Sequence, residues 1–237
     1  MKTEIEIAPH FQYISEFIHS VPLIFLHEGT CIYKARNEIR NFVADGNVCT
    51  VKSYKQPHII NQIAYSVFRQ SKAKRAFLYA QQLLAVDIPT PDPVAYIEQY
   101  KMGLLTHSYF ISLFATHKHI LRELYDYTID GNEDLLKALA EFTVLMHEKQ
   151  VYPIDYSPGN VLFEKVDGCY KFTLLDINRM KFGNVSERMA ARCFRRFHMK
   201  QEMLEFIVRE YAVLRGYEPA CFVSEVVKHH RAFWKRH

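Results

Sequence analysis

The residues of this chain best suited to chemistry gather in Asp155-Tyr156-Ser157-Pro158-Gly159-Asn160, between a helical pattern and a hairpin pattern. Asp176 follows Asn160 by sixteen residues, at the end of the hairpin's second strand. Phosphoryl transfer asks a protein for such groups. The transferring group carries dispersed negative charge, so an enzyme supplies mainly position and electrostatic stabilisation. Magnesium takes hard oxygen ligands, which a carboxylate and an amide oxygen provide. A further carboxylate orients the attacking hydroxyl and accepts its proton. Asp155 and Asn160 have the D-x4-N spacing of a catalytic loop for this reaction, and Asp176 stands where the metal-binding aspartate is expected. A lysine on an upstream strand would complete the set by holding nucleotide phosphates, and Lys52 in Val48-Cys49-Thr50-Val51-Lys52 occupies such a strand.

These groups need elements to position them. Ile39–Val43, the turn residues Asp45-Gly46-Asn47 and the β-branched and aromatic run Val48–Tyr54 predict a hairpin. Thr30–Tyr33 alternates weakly as a strand before it, and strands dominate from about residue 21 to 115. One long helix interrupts them over Ile59–Ala85, broken around Ser71. The prolines of Ile88-Pro89-Thr90-Pro91-Asp92-Pro93 force an extended connection into two strands, Val94–Tyr100 and Leu104–Phe114.

Beyond residue 117 the period becomes helical. Asn132-Glu133-Asp134 places a cap and negative charge ahead of Leu135, Leu136, Leu139, Phe142, Leu145 and Met146, an apolar stripe that ends near Lys149. A hairpin follows, Val161–Phe163 and Tyr170–Leu175 around Asp167-Gly168. Helices fill the chain from about Ser186, with a break at Gly216 and a restart near Pro219. Strands followed by helices predict an α+β fold of two lobes, residues 1–114 and 115–237, with a ligand crevice between them.

The bulk composition agrees with a folded globular protein: 49% of the 237 residues are hydrophobic and 14% aromatic. A formal charge of +4 favours a polyanionic partner without choosing nucleotide, phosphorylated lipid or nucleic acid. The Phe and Tyr residues follow no nucleic-acid motif and read as core, so no nucleic-acid partner is expected. Five scattered cysteines with no C-x-x-C pair argue against a disulfide framework or zinc site and for a reducing compartment. The acidic and proline residues among the first twenty interrupt any signal-peptide core, and no run approaches the roughly 18 apolar residues of a membrane span. The expectation is a cytoplasmic protein whose membrane contact, if any, is peripheral, at the inner face of the inner membrane.

Ile154-Asp155-Tyr156-Ser157-Pro158-Gly159-Asn160-Val161-Leu162 and Leu175-Asp176-Ile177-Asn178-Arg179-Met180 resemble the bacterial lipopolysaccharide kinase family. That family phosphorylates 3-deoxy-manno-octulosonic acid (Kdo) or core heptose. Arg36-Asn37-Glu38, Val51-Lys52-Ser53-Tyr54-Lys55, Ser71-Lys72-Ala73-Lys74-Arg75 and Thr90-Pro91-Asp92-Pro93-Val94-Ala95-Tyr96 extend the resemblance over roughly residues 28–183. It implies a protein-kinase-like fold and transfer from ATP, with Mg2+, to a lipopolysaccharide precursor such as Kdo-lipid A. It gives Asp155 the role of catalytic base, Asn160 and Asp176 the magnesium, and Lys52 the nucleotide phosphates. Arg36 and Asn37 fall where the phosphate-covering loop would be, in place of an absent glycine-rich cradle.

The sequence also departs from common kinase patterns. Pro153-Ile154 precedes Asp155 where histidine and arginine are usual, Asp176-Ile177-Asn178 replaces Asp-Phe-Gly, and no A-P-E segment follows. Leu78 stands where a helical acid is expected to pair with Lys52. An atypical serine/threonine protein kinase and a pseudokinase binding module therefore stay open as alternatives. Two basic stretches remain, Arg69, Lys72, Lys74 and Arg75, and the ending Arg231–His237. Each reads either as a solvated face or as a site for anionic headgroups.

Overall fold

The computed structural model describes residues 2–54 and 70–235, and it forms two compact units. The first comprises Met1–Ala85 and Thr90–Ala115, the second Val86–Pro89 and Thr116–His237.

The first unit is built on a six-stranded antiparallel sheet in the order β1-β5-β6-β4-β3-β2. Its strands are β1 (Lys2–Ile7), β2 (Thr30–Lys34), β3 (Glu38–Ala44), β4 (Asn47–Tyr54), β5 (Pro93–Lys101) and β6 (Leu104–Leu113). Two-residue turns close β3–β4 and β5–β6, with Ala44 opposite Asn47 and Lys101 opposite Leu104. Both central residues have positive φ in each, 45° and 74° at Asp45-Gly46 and 52° and 77° at Met102-Gly103. Such turns match the right-handed twist of the strands they join.

A helix covers each face of this sheet. On one face, α1 (Ser15–Ile24) buries Ile18 and Val21 with Ile14 and Phe25 against Phe42, Cys49, Val51, Ile97 and Ile111. On the other, α2 (Lys72–Ala85) packs Ala73 and Phe77 against Tyr54 and Tyr96. The elements before Thr30 depart from the sequence expectation, because residues 21–24 are helical and not the start of the strand region. The spacing Ile14, Ile18, Val21, Phe25 explains the helix, since it lines one helical face that the sheet can bury. The first part of the long helix expected over Ile59–Ala85 lies outside the described residues; the second part is α2.

In the second unit, α3 (Glu133–Glu148) packs against α5 (Gln201–Leu214), which packs in turn against α6 (Pro219–Trp234). Leu136, Leu139, Ala140 and Met146 of α3 and Ile207, Val208 and Tyr211 of α5 are fully buried. The reverse turn through Gly216, at φ 68°, ends α5, and the Glu218 carboxylate caps α6 by accepting from the Ala220 and Cys221 amides. Around this helical core lie a three-stranded sheet and a two-stranded one. The first orders β10 (Cys169–Leu174), β9 (Val161–Val166) and β7 (His119–Ile120); the second pairs β8 (Val151–Pro153) with β11 (Met180–Phe182). A short helix, α4 (Glu187–Cys193), follows β11.

Candidate active site

The loop from Asp155 to Asn160 is held at both ends. Upstream, Pro153 of β8 pairs with Met180 of β11, and the Ile154 amide donates to the Arg179 carbonyl at 3.0 Å. Downstream, Pro158-Gly159-Asn160 makes one 3-10 turn, with the Asn160 amide donating to the Ser157 carbonyl at 2.9 Å. Between them Tyr156 is a buried anchor. Thr143 donates its hydroxyl to the Leu139 carbonyl, so the Tyr156 hydroxyl donates to Thr143 Oγ1, at 3.0 Å. Burial holds the Tyr156 phenol far above its ordinary pKa, and its ring packs 4.8 Å from that of Phe197.

The β9–β10 hairpin explains why residues so far apart in sequence meet. Its turn at Asp167-Gly168, with φ of 50° and 81°, sets Val161 opposite Leu174. The chain then leaves the hairpin with the Leu175 amide donating to the Asn160 carbonyl at 2.8 Å, so Asn160 and Asp176 flank one point. Asn160 Nδ2 donates to the Asp155 carbonyl at 3.0 Å, which turns the amide oxygen away from that contact. Asp176 adopts φ 49°, a left-handed conformation uncommon outside glycine, and accepts from Asn178 Nδ2 at 2.6 Å. Asp155, Asn160, Asp176 and Arg179 together line one small cavity of about 10 Å³, room for a single water.

Two arginines converge on Asp155. Arg179 Nη1 lies 3.0 Å from Oδ2 and Arg196 Nη2 lies 3.1 Å from Oδ1. A third, Arg195, donates to the Ile154 carbonyl at 3.1 Å, and the Arg122 guanidinium lies so close to Gly159 that a Cβ there would displace it. The sequence reading gave none of these arginines a role. Arg179 stands only three residues after Asp176, whereas Arg195 and Arg196 sit in a stretch whose only signals are helical period and positive charge.

The remaining expected residues belong to the first unit. Lys52 is on β4, opposite Ile39 of β3 and Phe110 of β6. Its Nζ lies 5.3 Å from the centre of the Tyr54 ring, a cation–π contact. Arg36 and Asn37 form the tip between β2 and β3, where the Asn37 carbonyl accepts from the Ala35 amide at 3.0 Å. The helix α2 carries no acidic residue, and Leu78 packs against the Tyr54–Phe77–Tyr96 cluster. The second unit thus brings Asp155, Asn160 and Asp176 together, while in the first Lys52 lies on β4 and Arg36 and Asn37 lie in the β2–β3 turn.

The sequence profile of the lipopolysaccharide kinase (Kdo/WaaP) family matches residues 43–217. The chain belongs to this family. It is accordingly a phosphotransferase acting on sugar hydroxyls, of the lipopolysaccharide kinase class. Comparison with curated protein sequences gives no match. Among solved structures the chain is similar to one described as WaaP in complex with acyl carrier protein, with a TM-score of 0.66 and 13% sequence identity. The likeness covers 98% of this chain and 99% of the other, and it shows a shared protein-kinase-like fold. The residues of this lipopolysaccharide kinase outside 43–217, which include β1, α1, β2 and all of α6, lie beyond the family match.

Proposed function

We propose that this chain transfers the γ-phosphoryl group of ATP to a hydroxyl of Kdo or another inner-core sugar, with Kdo-lipid A as the leading acceptor. The observation that carries this reading is the β9–β10 hairpin, which closes Asn160 and Asp176 against the Asp155 loop inside one unit. In this assignment Asp155 accepts the proton of the acceptor hydroxyl as the new oxygen–phosphorus bond forms and ADP departs. Lys52 holds the nucleotide phosphates, and Arg36 and Asn37 supply donors where a glycine-rich loop would otherwise cover them.

The donor set fits magnesium. Asn160 and Asp176 offer an amide and a carboxylate oxygen, both hard ligands, at the two ends of one hairpin. No group of three His, Cys, Asp or Glu residues suited to a metal occurs among the described residues. Magnesium is commonly held through one or two protein oxygens, with substrate phosphates and water completing its shell. Magnesium there would neutralise phosphate charge as it redistributes between the β- and γ-phosphates.

Peripheral membrane contact is assigned to the groove between α5 and α6. It is about 680 Å³ and is lined by Arg209, Lys228, Arg231 and Lys235, with Glu205 the acidic exception. Several cations on one face favour an anionic headgroup layer. No helix among the described residues is long and apolar enough to cross a membrane.

The test is a transfer assay with purified protein, ATP and magnesium, offering Kdo-lipid A, a heptose-bearing core and serine/threonine peptides in parallel. Phosphate on the sugar acceptors alone supports the reading. Phosphate on peptides alone, or nucleotide binding without transfer to any acceptor, overturns it.

A further inference from the structure

We propose that Arg179 and Arg196 form a receptor for an anionic group on the acceptor, and that Asp155 fills this receptor until the acceptor arrives. The inference rests on the reading of Asp155 as the acceptor-facing residue, and it adds the groups that would recognise a carboxylate or phosphate near the hydroxyl that reacts.

Charge is the first argument. Two guanidiniums converge on the one carboxylate of Asp155, and a second anion can share the pair. The second argument is the state of Asp155. Both of its oxygens lie within ion-pair distance of an arginine, although the buried Oδ1 has no hydrogen-bond partner among the described residues, whereas a group that takes a proton must turn an oxygen to the incoming hydroxyl. An acceptor anion that draws the two arginines to itself supplies that release and binds the sugar in the same step.

The third argument is the preparation of Arg196. Its guanidinium sits 5.1 Å from the centre of the Phe233 ring of α6, which fixes the plane of the fork. Its Nε is buried and has no hydrogen-bond partner among the described residues. A buried donor without a partner is unfavourable, and a ligand oxygen offsets that. Arg179 arrives from a different element, the residue before β11, and its side chain is 46% exposed, so the pair opens to solvent on one side. A planar fork that takes two oxygens at once suits carboxylate and phosphate equally.

The experiment is calorimetric titration of the full chain, without ATP, using Kdo, Kdo carboxamide and inorganic phosphate as separate probes. The proteins are wild type, Arg179→Gln, Arg196→Gln and the charge-preserving Arg196→Lys, each with its melting curve. The wild type should bind Kdo about 10–100-fold more tightly than the carboxamide, the range for a charge-assisted pair. Either glutamine substitution should remove that discrimination while barely changing carboxamide binding, and Arg196→Lys should fall between. Arginine-dependent phosphate binding without Kdo binding names a phosphorylated sugar as the source of the anion. Equal binding of acid and carboxamide by the wild type, with phosphate binding unchanged in all variants, overturns the proposal. Arginine-dependent anion binding together with failure to phosphorylate Kdo-lipid A leaves the receptor standing and removes the acceptor reading. Transfer to Kdo-lipid A with a KM indifferent to both glutamine substitutions does the reverse.

Discussion

Mild acid should loosen the helical unit chiefly through His147, with the desolvated His229 and His230 adding to it. This histidine lies in the last turn of α3, buried, with Nδ1 2.8 Å from the Tyr211 hydroxyl of α5. Its Nε2 has no hydrogen-bond partner among the described residues. Desolvation, with the positive charge of Arg215 adding to it, lowers its pKa from 6.5 to about 3. The unfolded chain therefore binds the proton and the folded chain does not, so stability falls as pH drops below about 6.5 and goes on falling toward 3. At pH 5 the unfolded state is favoured by about 1.5 pKa units, or about 2 kcal/mol, relative to pH 7.5. Urea denaturation at both pH values, for wild type and His147→Gln, measures this directly. The variant is expected to start from lower stability and to lose about 2 kcal/mol less over the interval. Parallel losses in the two proteins would refute the assignment of this sensitivity to His147.

Three further outcomes follow from the site. Tyr156→Phe keeps the ring against Phe197 but removes the hydroxyl that donates to Thr143. It should cost about 1 kcal/mol, which a thermal melt reads as a fall of about 2–4 °C. Lys52→Met should raise the KM for ATP and leave acceptor binding unchanged, because Lys52 is assigned to the nucleotide alone; steady-state kinetics with each substrate varied in turn checks this. Arg231→Gln with Lys235→Gln should reduce sedimentation with anionic vesicles at low salt, and added salt should weaken the wild type's binding in the same direction.

The features legible in the sequence were those fixed locally. The β9–β10 hairpin announces itself through Asp167-Gly168 between two apolar runs, and its closure is what carries Asn160 to Asp176. The strand of Lys52 follows in the same way from Asp45-Gly46. The end of α5 at Gly216 and the start of α6 at Pro219 are likewise local signals, glycine with positive φ and proline in a first turn. Contacts made at a distance left no trace. The stripe Ile14, Ile18, Val21, Phe25 reads as a helix only once a sheet face exists to bury it. Arg196 reaches Asp155 because α6 supplies Phe233 beneath it, a pairing across dozens of residues with no local motif. Leu78 shows the converse case. The resemblance to kinases implies an acid near that position, and the fold uses it for packing against Tyr54, Phe77 and Tyr96.

The central claim is that this lipopolysaccharide kinase phosphorylates an inner-core sugar with Asp155 as the proton acceptor. The direct measurement is the mass of lipopolysaccharide from cells lacking the gene, complemented either with wild type or with Asp155→Asn. The account predicts one phosphoryl group on the Kdo or core region restored by wild type. It also predicts that Asp155→Asn, folded to the same melting behaviour, leaves transfer slowed about 10²–10⁴-fold and the phosphate missing. Full restoration by Asp155→Asn, or core phosphate unchanged by loss of the gene, would contradict it.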